Sequence, residues 1–204
     1  MGISERKERE KQEMRKSIID AAMHMFMYEG YENASIRKIA DKIEYSPATI
    51  YLYYKDKDEL LYDVQAQCFE KLVGIFSEKV NSEDPFTRLR QIGHAYIDFG
   101  LNNPEIYDLM FIMKSPMKSV EEYEAWHNGD DAFTFLVTCI AGCIERKQII
   151  FTDVRHGALS VWAMAHGLIS LNVCCRMKVM AMTQDQIEHG IYHALDSYLD
   201  TIKT

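Results

Sequence analysis

Glycine and proline are scarce in this chain, 10 and 4 residues among 204. So few breakers exclude a turn-dense all-β architecture. No alternation of apolar and polar residues runs long enough for a half-buried strand, and "IIF" at 149–151 reads as a hydrophobic turn. Long hydrophobic runs are missing too. The most apolar stretch, residues 158–175, is interrupted by Ser160, His166, Ser170 and Asn172. It reads as a buried helix and not as a membrane span. The opening "MGISERKEREKQEMRK" has no apolar core of a signal peptide, so a cytoplasmic location without membrane attachment is expected. The 5 Cys are an odd number, which fits no closed disulfide framework, and reduced thiols are expected. Positive charge is short overall, with a net charge of −8. It is unevenly spread: residues 1–55 carry 10 Lys and Arg against 9 Asp and Glu, and the remainder 13 against 22. Only the front of the chain could approach a polyanion without strong repulsion.

Helical periodicity fills the chain instead. Ile18, Ala21, Ala22, Met25 and Phe26 form one stripe, and Gly30 suits the left-handed position after a helix. The charged segment before it, Ser4 to Met14, has no apolar face and is expected to order only against something negative. Ile36, Ile39, Ala40 and Ile43 make a second, short stripe with Ser35 as cap. Ser46 caps the next helix, and Pro47 takes its first position, where the missing N–H costs nothing. A long helix followed by two short ones across a tight turn is the layout of a helix-turn-helix. Further amphipathic segments follow, with Thr152 and Thr183 as expected caps. The fold class is therefore all-α: a three-helix DNA-binding domain over residues 1–58, then a larger helical domain over 59–204, about nine helices in all.

The second short helix carries the chemistry. Ser46, Pro47, Ala48 and Thr49 are small and let backbone approach a groove floor. Tyr51 and Tyr53 share a face with Thr49, so their hydroxyls reach phosphates or base edges. Ile50 and Tyr54 face the core. Lys57, in the first turn of the next helix, would join free N–H groups in a phosphate clamp. Arg37 has the reach to touch DNA backbone or base.

The stretch "SIRKIADKIEYSPATIYLYYKDKDELL", with "IIDAAMHMFMYEGYENASI" before it, resembles the DNA-binding segment of the tetracycline-repressor (TetR) family. Two positions depart from the family pattern: Glu44 stands where the turn usually carries Gly, and Tyr54 where Phe is usual. "VWAMAHGLISL" resembles the "W…HG" helix of one subgroup. The resemblance implies a non-enzymatic, ligand-responsive repressor without cofactor. It would act as a homodimer through its last two helices, bind a palindromic double-stranded operator and be released by a small hydrophobic effector. Gly157, Ala158, Ala163, Ala165 and Gly167 keep the penultimate helix slim. Ile187, Ile191, Ala194, Leu195 and Tyr198 stripe the last one, and a charge at Gly167 or Leu195 is expected to break the dimer.

Candidate effector-lining residues are Tyr96, Phe99, Tyr107, Met110, Phe111, Met113, Tyr123, Trp126, Phe133, Phe135, Trp162 and His166, about a third of which would line a cavity. Between Gln91 and Ile144 the only cations are Lys114 and Lys118. The expected ligand is hydrophobic and neutral or cationic, and 12 Met suit a pliable site. Rival readings use other residues. Cys139, Cys143, Cys174 and Cys175 sit in apolar stripes with no acid–base partner, which favours buried, inert thiols over enzyme chemistry. The vicinal pair Cys174–Cys175 would suit a redox or thiophilic-metal response. His189 and His193, four apart, have metal-ligand spacing but no partner motif; no bound metal is expected. A DNA-organising protein without effector would keep the front helices alone.

Overall fold

The computed structural model describes residues 2–113 and 128–204. Among the described residues are nine α-helices and no strand, with a single isolated bridge between Ile149 and Lys203. None of these helices is long and apolar enough to cross a membrane.

Helix α1, Ile3–Tyr28, buries Ile18, Ala21, Ala22, Met25 and Phe26, the stripe its spacing predicts. Gly30 follows at φ +82°. The charged start, expected to await a negative partner, is already helical. Arg6 and Glu10 pair at 2.7 Å, Arg9 and Glu13 at 3.6 Å, each four residues apart, and the Gly2 N–H donates to Glu5 at 2.8 Å. Such pairs contribute a few tenths of a kcal/mol each, about 0.3–0.5, and extend a helix already nucleated downstream.

Helix α2, Ile36–Lys42, is capped by Ser35, whose hydroxyl accepts from the Lys38 N–H. Its end is closed by the Tyr45 N–H donating to the Ala40 carbonyl at 3.0 Å, which places Glu44 at φ +60°. Helix α3, Pro47–Tyr51, starts on Ser46, which accepts the Thr49 N–H at 3.2 Å. Helix α4, Lys57–Lys79, buries Leu60, Leu61, Val64, Leu72 and Phe76.

Beyond it come α5, Pro85–Asn102, and α6, Pro104–Tyr107, which widens into a π turn at Asp108–Ile112. Then follow α7, Asp130–Glu145, and α8, Val154–Val173. A 3-10 turn at Arg176–Met180 leads to α9, Gln184–Ile202, capped by Thr183 as expected. The expected cap at Thr152 is corrected to Asp153, one residue on, whose carboxylate accepts the His156 N–H at 2.8 Å. The expected helix from Val120 onward lies outside the described residues until Asn128.

The chain packs as two units, with the boundary inside α4 after Cys68. Residues 2–68, with Met113 and Asn128, make the first; Phe69–Ile112 and Gly129–Thr204 make the second. In the second, α5 packs against α7, α8 and α9. Small residues set the close approaches: a Cβ on Gly100 would sit 2.4 Å from Ile169 Cγ2, and one on Gly93 2.8 Å from Leu195 Cδ2. Leu195, placed above in the dimer stripe, is fully buried in the protomer against Gly93, so a charge there would break the protomer's own core. The vicinal cysteines also differ from expectation. α8 ends at Val173, and Cys174 and Cys175 are exposed in the turn, Cys175 at φ +55°, whereas Cys139 and Cys143 are buried.

Candidate functional site

In the first unit the caps of α2 and α3 decide which side chains reach solvent. Ser46 holds the first turn of α3 through the Thr49 N–H and also meets the Thr49 hydroxyl at 3.0 Å. Ile50 and Tyr54 are buried beneath. Arg37, Ser46, Ala48 and Tyr51 are exposed, and Pro47, Thr49, Tyr53 and Lys57 are partly so. Tyr51 is 56% exposed, and its neighbours Tyr45 and Leu52 are 49% and 82% exposed. Tyr45 and Leu52 were absent from the sequence-based set; a tyrosine before the cap and a leucine after the helix gave no periodic signal.

The start of α4 is arranged differently from the expected clamp. Asp56 accepts from the Glu59 N–H of its first turn at 2.8 Å, and Glu59 accepts from the Lys55 N–H, just ahead of the helix, at 2.6 Å. Lys57 Nζ donates to the carbonyls of Tyr31 and Ala34. A further cluster was invisible to local pattern. Arg15 donates to Asp63 at 2.5 Å and to the Tyr54 hydroxyl at 3.2 Å, and Tyr54 donates to Asp63 at 3.0 Å. Burial, followed by the Asp63 charge, pushes the Tyr54 hydroxyl well up, so it stays a donor. An open groove of about 550 Å³ runs along α1 to the end of α2, lined by Glu13, Lys16, Asp20, His24 and Lys42 among others. Its mixed charge does not suit a hydrophobic ligand.

In the second unit, aromatic residues from α5, α6, the π turn and α8 converge. The Tyr96 and Tyr107 hydroxyls lie 3.0 Å apart, and Tyr107 lies 2.6 Å from His166 Nδ1. Phe111 meets Tyr96, Tyr107 and His166 with ring centroids 4.9–5.8 Å apart. Trp162 approaches His166 at 6.1 Å, and Phe133 approaches Trp162 at 6.0 Å. Tyr96 and Tyr107 are buried, His166 and Phe111 half-buried, and Phe133 and Trp162 exposed at its margin. Burial pushes the Tyr96 hydroxyl up to about 12, partly offset by hydrogen bonding to Tyr107 and Trp162. Burial lowers the proton affinity of His166.

Other predicted residues fall elsewhere. Phe99 and Met110 are buried, and Phe135 packs on Phe76 at 5.9 Å. Met113 is half-buried and groups with the first unit. Tyr123 and Trp126, like Lys114 and Lys118, lie outside the described residues. Phe69 was read only as core, yet its ring meets Phe111 at 5.4 Å. His189 Nδ1 turns to the Asp185 carbonyl at 2.7 Å, and His193 is exposed. Among the described residues no group of three or more His, Cys, Asp or Glu could hold a metal ion.

The family described as "Bacterial regulatory proteins, tetR family" matches residues 18–64, and "Tetracyclin repressor-like, C-terminal domain" matches 89–194. This chain belongs to the TetR family. It is a DNA-binding transcription regulator and not an enzyme. A TetR-family regulator from Haloarcula marismortui shares the fold with a TM-score of 0.75 at 19% identity, over 95% of this chain and all of that one. FadR of Bacillus halodurans, a fatty acid degradation regulator, shares it with a TM-score of 0.68 at 17% identity, over 89% and 93% of the chains. In sequence, the nicotine-responsive repressor HdnoR of Paenarthrobacter nicotinovorans is 34% identical over 85 residues. That match spans 41% of this chain and 42% of the relative, well under two thirds of its length. The first match contains α3 and the second contains the Tyr96, Tyr107 and His166 cluster.

Proposed function

We propose that this regulator is a ligand-responsive repressor, with residues 1–58 as DNA-binding domain and 59–204 as effector and dimerisation domain. Two α3 helices of a homodimer enter successive major grooves about 34 Å apart on a near-palindromic operator. Arg37, Ser46, Pro47, Ala48, Thr49, Tyr51 and Tyr53 meet DNA, and Lys57, bonded to the carbonyls of Tyr31 and Ala34, holds the start of α4 behind them.

The observation that carries the ligand response is the Tyr96–Tyr107–His166 hub. Polar groups bonded to one another inside an aromatic wall fix the orientation of an apolar ligand. Phe111 links this hub to Phe69 on α4. An effector that displaces Phe111 thereby moves the helix that continues into the DNA-binding unit, and the dimer shifts towards a spacing that no longer fits the operator. HdnoR, by name a nicotine-responsive repressor, is consistent with a small-molecule effector.

Support for the dimer lies on α8. Leu159, Ala163, Gly167 and Leu171, spaced four apart, lie along one side of it; Leu159, Ala163 and Leu171 are exposed, and nothing lies within 4 Å of a Cβ built on Gly167. A ridge of this spacing packs against its own copy.

The test is mobility shift with DNA from upstream of the regulator's own gene. Tyr51→Ala should weaken binding about tenfold or more with melting unchanged within about 0.5 kcal/mol, as for an exposed residue. Lipophilic compounds that raise the melting temperature should release the wild-type complex. If none of a broad lipophilic panel releases it and phosphorylated metabolites do, the effector reading fails.

A further inference from the structure

Apolar periodicity runs through Cys139, Cys143, Cys174 and Cys175 alike, but the structure separates them. Cys139 and Cys143 are buried, as is Cys68, and burial pushes the Cys143 thiol up to about 12. Buried thiols of this kind are inert. Cys174 and Cys175 are free, exposed and adjacent in the chain, at the point where α8 ends. An accessible thiol with a second one beside it, placed to resolve the first oxidation product, is the arrangement of a reversible redox sensor.

A bond between these two sulfurs would not be a structural staple. The Cα atoms of ordinary disulfides stand about 4.4–6.8 Å apart, whereas consecutive Cα atoms stand about 3.8 Å apart. So short a span strains the bond, and strained, exposed disulfides are the readily reduced ones. The backbone at this place is also held by few contacts. The Cys174 N–H donates to the Ser170 carbonyl and the Cys175 N–H to the Asn172 carbonyl, each at 2.9 Å, and these bonds close α8. Cys175 already sits at φ +55°, a conformation that side chains of L residues rarely adopt. Closing a small ring across the peptide bond between the two cysteines acts on both residues and therefore on both closing bonds. On one side of them Leu171 is exposed on α8; on the other Met177 is buried in the 3-10 turn that leads to α9.

We propose that Cys174 and Cys175 are a peroxide-responsive dithiol whose oxidation to a vicinal disulfide remakes the end of α8 and weakens operator binding. One thiolate attacks hydrogen peroxide: an S–O bond forms, the O–O bond breaks, and the leaving hydroxide takes up a proton to become water. The neighbouring thiolate attacks that sulfur: the S–S bond forms, the S–O bond breaks, and a second water leaves. The two sulfurs together lose two electrons and the peroxide gains them. This signal is separate from the effector and uses no residue of the aromatic hub. Its route to the operator rests on α8 as the dimer face.

The experiment exposes the full, reduced chain to hydrogen peroxide, denatures it, blocks free thiols with iodoacetamide and digests it with trypsin. Residues 156–176 form one tryptic peptide that holds Cys174 and Cys175 and no other cysteine. After peroxide this peptide should be two hydrogens lighter and unalkylated, with Cys139 and Cys143 still alkylated, and dithiothreitol should reverse the change. Operator affinity should fall about fivefold or more on oxidation and recover on reduction. Cys174→Ser and Cys175→Gly should match the reduced wild type in operator affinity and keep that affinity through peroxide treatment. Glycine rests without penalty at φ +55°, so the second variant keeps the turn.

An unchanged peptide overturns the proposal, as does a disulfide between two copies of the chain or oxidation confined to sulfinic acid or to the buried cysteines. A vicinal disulfide that leaves operator affinity unchanged does so too, and so does a peroxide response that survives Cys175→Gly. A reduced chain that sediments as a monomer, yet loses operator affinity when the vicinal disulfide forms, would sink the dimer reading and leave the dithiol standing.

Discussion

Lys57 Nζ lies 3.9 Å above the centre of the Tyr31 ring while donating to the Tyr31 carbonyl at 2.7 Å and the Ala34 carbonyl at 3.1 Å. One ammonium thus ties the start of α4 to the loop between α1 and α2. Hydrogen bonds from a charged donor contribute about 1.5–3 kcal/mol where well formed, and partial exposure puts this one near the lower end. Lys57→Met keeps the stem and removes the charge. Its melting temperature should fall in the absence of DNA, by the equivalent of about 1–2 kcal/mol. Unchanged melting together with a salt slope of DNA binding lowered by about one would instead place the ammonium wholly on phosphate.

Tyr54 occupies the position where the family usually carries Phe, and its hydroxyl bridges Arg15 and Asp63. Tyr54→Phe should cost about 1 kcal/mol, since the ring still fills its buried site and Arg15 still holds Asp63. Asp63→Ala, which leaves both Arg15 and Tyr54 without their acceptor, should cost more. Chemical denaturation of the two variants checks the order, and a larger loss for Tyr54→Phe would refute the bridge.

Acid should loosen the start of α5. Asp84 accepts the Gln148 side-chain N–H at 2.6 Å, the Thr87 N–H at 2.9 Å and the Thr87 hydroxyl at 2.8 Å. These bonds hold its carboxyl at about 2, below the ordinary 3.8. A folded-state value below the unfolded one stabilises the fold above the unfolded value, and that contribution disappears as pH falls through the folded one. The melting difference between wild type and Asp84→Ala should be widest above about pH 5 and shrink towards pH 2. A constant difference across that window would contradict the assignment.

The face of α8 predicts assembly. Gly167→Glu or Leu159→Glu places a charge where the protomer offers open space, so the protomer should keep its melting temperature and sediment as a monomer with weakened operator affinity. Leu195→Glu should unfold the protomer, because that side chain is wholly buried within it. Ultracentrifugation beside circular dichroism separates the two outcomes. A dimer that survives Gly167→Glu at wild-type strength would remove α8 from the interface.

What the sequence made legible was local. Ser35, Ser46 and Pro47 act within three residues of the backbone they cap, so α2, α3 and the outward set of Tyr51 could be read directly. The hub was half legible: aromatic residues in the middle helices could be named, but sorting Tyr96, Tyr107 and His166 from Phe99 and Phe135 needs α5, α6 and α8 in place. Arg15 and Asp63 lie 48 residues apart, and no pattern joins them. Cys174 and Cys175 looked buried because the apolar periodicity of α8 runs up to them. The helix ends one residue earlier and the chain turns outward, a change that depends on a single left-handed residue, Cys175.

Glu44 shows what such a residue does in the turn before α3. At φ +60°, where glycine would rest without penalty, it costs about 1 kcal/mol, a factor of about five in a local equilibrium. The amide protons of Glu44 and Tyr45, which close α2, should therefore exchange with solvent about five times faster than behind a glycine turn, with no change in the core. The turn ahead of α3 therefore carries a local strain that a glycine at the same position would release.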